Sequence, residues 1–137
     1  MKKIVLCLLV ALSATVSMSA QDLKQKAAAD LEKMVGDWTY TMENPMDAST
    51  IKGVLTFTKD DNGIMCLIED TLAGNLKSGY FAPCEDGRSK AVMPVEEYNM
   101  DMDVYVSFNE EGGLVILMDV AGMMEINVSA TRKAEEN

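Results

Sequence analysis

The chain has 137 residues, with 22 acidic and 12 basic side chains, a net charge of −10 and no histidine. The missing imidazole excludes every His-based catalytic triad, every His-ligated metal site and the common side-chain pH switch near neutrality. The surplus of carboxylates repels nucleic-acid phosphates and anionic membranes, which leaves neutral or cationic partners.

The N-terminus reads as a leader. Lys2 and Lys3 precede "IVLCLLVAL" (4–12), an apolar run of nine residues, too short for a stable bilayer span. Small residues then lead to Ala20. This is the pattern of a secretory signal peptide, 1–20, cut after Ala20. It predicts an exported protein, periplasmic or extracellular. Only two basic residues leave with the leader, so the net charge moves to −12 over the 117 residues of 21–137. That length fits a single domain with its own core. No later segment is apolar enough to span a membrane.

Residues 22–35, "DLKQKAAADLEKMV", predict a helix. Asp22 is a plausible N-cap. Leu23, Ala27, Leu31 and Val35 recur every four residues and form one apolar stripe. Gly36 follows, where a left-handed residue ends many helices.

After Gly36 the period drops to two. Alternating or apolar runs at 37–43, 50–58, 63–70, 76–84, 90–98, 102–108, 114–120 and 124–132 predict eight strands. The turns repeat as well. "DDNG" begins at 60, "EDGR" at 85 and "EEGG" at 110, a spacing of 25 residues. The intervening turns fall near 44–49, 72–75, 97–100 and 121–123. Each 25-residue unit is a hairpin, so the chain reads as an antiparallel up-and-down meander. Eight such strands lose their edges by closing into a barrel.

The two rims of that barrel differ. One carries the helix and the acidic, glycine-rich turns. The other carries Met46, Leu72, Met100, Met102, Met123 and Met124, although turns ordinarily face water.

A helix leading into "GDW", a meander of eight strands, and Arg132 at the end of the last one resemble the calycin-type barrels. These include the lipocalins and small exported bacterial lipocalin-like proteins. The resemblance covers nearly all of 21–137. It implies that Trp38, the only tryptophan, sits at the closed end with Arg132 packed across it. Met124, Ile126, Val128, Ala130 and Arg132 share one strand face. Stacking on an indole would account for an arginine there. The lipocalin T-D-Y loop motif is missing, as is a tyrosine two residues after Arg132, so the resemblance implies no particular ligand.

Ten of the 12 methionines lie beyond the leader. Flexible thioethers suit surfaces that accept varied apolar shapes, and they also fill gaps in cores. The methionine-bearing rim is therefore read as the mouth of a non-catalytic binding barrel. Met46, Leu72, Met100, Met102 and Met123 would meet a small hydrophobic or amphipathic molecule, or an apolar peptide. The alternative is a filled barrel serving protein interaction or self-association. Met65, Leu67, Val115 and Leu117 favour it, being apolar on the outer wall.

Nothing in the sequence calls for a metal or cofactor. The acidic turn pairs follow no EF-hand pattern, and "MDM" lacks the spacing of methionine copper motifs. Glu96 and Glu97 are adjacent on a predicted strand and so point to opposite faces. No nucleophile has a base partner. Cys66 and Cys84 fall on neighbouring predicted strands, which allows either a disulfide or two separate buried thiols.

Overall fold

The computed structural model describes residues 19–132 except 45, 72 and 73, and leaves the side chains of 70, 71 and 97 undescribed. The predicted leader lies outside these residues, apart from its last two positions. The chain forms an all-β antiparallel sheet with one helix, α1 (Ala20–Lys33). The strands are β1 (Gly36–Glu43), β2 (Thr50–Asp60), β3 (Gly63–Thr71), β4 (Gly74–Lys77), β5 (Ala82–Pro83), β6 (Ser89–Val95), β7 (Met100–Phe108), β8 (Leu114–Val120) and β9 (Met124–Arg132).

The helix starts two residues earlier than 22 because Ser19, not Asp22, caps it. The Ser19 Oγ accepts from the Asp22 amide at 3.2 Å, and Asp22 lies in the first turn, where its charge complements the helix dipole. The helix ends at Lys33 with Met34 as its cap, before Gly36 is reached. Gly36 opens β1 at φ +129°, a backbone conformation that side chains disfavour. Ala27, Leu31 and Met34 are buried, and the helix packs on β5, β6 and β7.

The sheet order is β4-β3-β2-β1-β9-β8-β7-β6-β5. Consecutive strands other than β4 and β5 pair as in a meander, and β1 joins β9, the first strand beside the last. The expectation of eight strands closed on themselves is corrected: there are nine, and the sheet is not closed. The predicted strand 76–84 divides into β4, on β3, and β5, on β6. Between them the amides of Ser78 and Phe81 donate to Cys66 O and Ile64 O of β3, each at 2.8 Å. The Gly79 amide turns the other way and donates to Val92 O of β6 at 2.8 Å. One segment thus serves both edges, with two bonds to β3 and one to β6. Pro83 and Pro94 lack N–H donors, so they suit positions beside this seam.

Inward and outward residues alternate along the strands. On β8, Leu114, Ile116, Met118 and Val120 are buried, while Val115 is exposed. Of the other apolar residues expected on the outer wall, Met65, Leu67 and Leu117 are half-buried.

The closed end is built on Trp38, which is 1% exposed. Its Nε1 donates to Met34 O at 2.7 Å, and Phe108 lies 6.2 Å away, ring to ring. Arg132, paired with Trp38 across β1 and β9, holds its guanidinium carbon 4.0 Å from the indole centroid. The same guanidinium donates to Lys33 O at 2.7 Å and Val35 O at 3.1 Å. These contacts supply partners for carbonyls at the end of α1 that the helix itself does not satisfy.

Replacing Trp38 with Ala is expected to destabilise the protein by about 3–5 kcal/mol, as for other buried aromatics. Arg132→Ala is expected to cost less. Because the side chains touch, the two losses are expected not to add in a double-mutant cycle followed by urea unfolding. Strict additivity would show that the stack carries no energy of its own.

Candidate functional site

Above this floor the barrel interior is hollow. A cavity of about 610 Å³ opens at the rim opposite α1. Seven of its 17 lining residues are methionines, seven are Ile, Leu or Val, and the remainder are Tyr40, Asn44 and Tyr98. No lining residue carries a formal charge.

The wall follows from strand alternation. Trp38, Tyr40 and Met42 are successive inward positions of β1, and only the last two reach the cavity. Met118 and Val120 end the inward row of β8, while Met102 does the same near the start of β7. Long side chains fill the closed half, and this row of methionines and β-branched residues takes over at the open half.

The rim is raised by turns with polar scaffolds. In the turn after β1, Asn44 Oδ1 accepts from the Met46 amide at 2.9 Å. Asp47 Oδ1 accepts from both the amide and the hydroxyl of Ser49. Those bonds hold the Asp47 carboxyl below its ordinary pKa. The turn presents Met46 at 90% exposure. Between β8 and β9, Ala121 and Gly122 both have positive φ, as a type I′ hairpin turn requires. Asp119 Oδ1 accepts from the Gly122 amide at 3.0 Å, and Met123 emerges 77% exposed. A single 3₁₀ turn, Glu96–Tyr98, closed by left-handed Asn99, sets Tyr98 on the rim at 59% exposure. Glu96 and Glu97 therefore occupy this turn and not the end of a strand.

Tyr40 needs Gly53 beneath it. The two residues face each other across β1 and β2. A Cβ at position 53 would sit 2.6 Å from the tyrosine Cε1 and hydroxyl oxygen. This glycine supplies space, since its φ is unremarkable for any residue.

Met46, Met100, Met102 and Met123 of the predicted mouth all line this cavity. Leu72 lies outside the described residues. Met42, Met118 and Tyr40 were missed, although each falls on the inward face that strand alternation defines. Tyr98 and Asn44 had no such signal, because their placement depends on turn geometry. Among the described residues no group of His, Cys, Asp or Glu could hold a metal.

Of the arrangements the sequence allowed for Cys66 and Cys84 the disulfide is not formed: both thiols are free, Cys66 buried and Cys84 half-buried. The β3–β4 register carries an irregularity between Ile68 and Thr71, and it places Ser78 beside Cys66. The Cys66 amide donates to the Ser78 hydroxyl at 2.8 Å. Cys84 lies six residues further along, in the turn joining β5 to β6, where its amide donates to Arg88 O. Burial pushes the Cys66 thiol up to about 12.

No protein-family model matches the chain, and no curated protein does. Among solved structures, a redesigned beta barrel is similar, with a TM-score of 0.56 at 14% identity. The match covers 79% of this chain and 96% of that one. At that identity the likeness shows a barrel-like fold alone.

Two outcomes are expected. In a chain that starts at Gln21, a thiol reagent at mildly alkaline pH will label Cys84 in the native protein and Cys66 only after denaturation, giving two free thiols without reductant. Gly53→Ala will cost about 1–3 kcal/mol in denaturant melts by overpacking against Tyr40. That loss will shrink in a Tyr40→Ala background if the ring is its cause.

Proposed function

We propose that the protein is a non-catalytic, exported, lipocalin-like barrel that binds a small hydrophobic or amphipathic molecule in its methionine-lined cavity. The observation that carries this reading is the cavity itself, about 610 Å³ in volume and bounded almost wholly by apolar side chains. Ligand pockets typically span about 300–1,000 Å³ and are mostly apolar, with a few polar groups that set orientation. Seven flexible thioethers in one wall suit a ligand of variable shape. The lipocalin-like character is supported by the stack of Arg132 on Trp38 beside the helix end. Export is supported by the leader pattern of 1–20. A non-catalytic role is supported by a wall that pairs no nucleophile with a base. The filled-barrel alternative has less in its favour, because the open half of the interior is not packed.

Titration with an environment-sensitive apolar dye tests the reading. Wild type is expected to bind it. A Met46→Ser/Met100→Ser/Met123→Ser variant is expected to bind roughly tenfold more weakly, a loss of about 1.4 kcal/mol. A folded variant that binds as well as wild type would remove the rim from the site.

A further inference from the structure

Both ends of the barrel carry a surplus of carboxylates, and they differ in their cations. The helix and the closed end hold Lys24, Lys26, Lys33, Lys59, Arg88 and Arg132. Three of these cations are committed to ion pairs, Lys26 with Asp30, Lys59 with Glu32 and Arg88 with Asp86. At the open end cations are scarce and the carboxylates stand unpaired. Glu43 ends β1, Asp47 lies in the following turn, and Glu96 begins the 3₁₀ turn. Asp101, Asp119 and Glu125 each lie one residue from a strand end at the mouth. None of these six forms an ion pair with a described residue. Lys52 and Lys77 are the described cations within three residues of a strand end on that rim.

Asp119 also faces Asp103 on β7 and Glu125 on β9 directly across the sheet. Like charges in that relation oppose folding. Only Asp103 has a cation near it, Lys90 at 3.8 Å. Inside the mouth the wall offers no cation to neutralise an anionic head group and no carboxylate to hold a cation at depth. A charged head is therefore confined to the rim, where the field is negative. Tyr98 lines the cavity at that level and is 59% exposed, in the same 3₁₀ turn as Glu96. An aromatic face next to a carboxylate suits an ammonium group.

We propose, building on the binding reading above, that the cavity takes a cationic amphiphile, with an apolar body among the methionines and an amine or quaternary ammonium head at the acidic rim. The rim carboxylates raise the local concentration of such molecules and repel anionic amphiphiles of the same length. Tyr98 positions the head.

Calorimetric titration with decyltrimethylammonium, decyl maltoside and decanoate, each below its micelle concentration at neutral pH, tests this. At about 20 mM salt the ammonium compound is expected to bind at least about tenfold more tightly than decanoate. The ratio is expected to fall towards unity at about 0.5 M salt, where the screening length is only a few ångströms. A Glu96→Gln/Asp101→Asn/Glu125→Gln variant is expected to lose the preference and keep its affinity for the maltoside. Tyr98→Leu is expected to weaken the ammonium compound more than the maltoside. Equal or tighter binding of decanoate overturns the inference while leaving the binding barrel intact, as does a preference that survives in the triple variant. Failure of all three compounds to bind overturns the inference and the binding reading together.

Discussion

The fold depends on one guanidinium. Arg132 lies across Trp38 and donates to two carbonyls at the end of α1, so the last strand, the first strand and the helix meet at one side chain. Trp38 completes the junction through its bond to Met34 O. With the floor occupied by an indole, a guanidinium and a helix end, the interior has only one open direction. The working end of the barrel is a consequence of how firmly the other end is closed.

Much of this was legible from period and spacing. The change to alternation after Gly36 marks β1, and the 25-residue rhythm of acidic turns marks the hairpins. An arginine on the inward face of the last strand, with a single tryptophan at the start of the first, points to the floor. The seam was not legible. "LKSGYFAPC" alternates well enough to read as one strand, yet it breaks because Ser78, Gly79 and Phe81 divide their amides between β3 and β6. Backbone choices of that kind follow from competing partners, and side-chain pattern does not record them. The cysteines stay apart because the β3–β4 register sets Ser78 beside Cys66, six residues short of Cys84. The methionine rim could be read because large apolar residues at turns are conspicuous. Tyr98 could not, because a 3₁₀ turn carried it there.

The hollow results from which residues face inward at each level. Trp38, Phe57, Phe81 and Phe108 occupy the closed half and touch one another in pairs. Above them the inward positions pass to Met42, Ile51, Met102, Met118 and Val128, which are too slender to meet across the barrel. Tyr40 is the one large ring at that level, and it lies against the wall because Gly53 yields the space. The same alternation therefore gives a packed base and an empty top, with a change of side-chain bulk marking the boundary.

The seam between β4 and β6 leaves the girth of this barrel free of a continuous hydrogen-bond ladder. A barrel whose hydrogen-bond ladder runs full circle has its radius fixed by strand number and stagger. Here the circuit is interrupted, and Leu76 faces both the cavity and the cleft along the seam. The described backbone bond that crosses the gap runs from the Gly79 amide to Val92 O, so the circumference there is set by side-chain packing and not by a ladder.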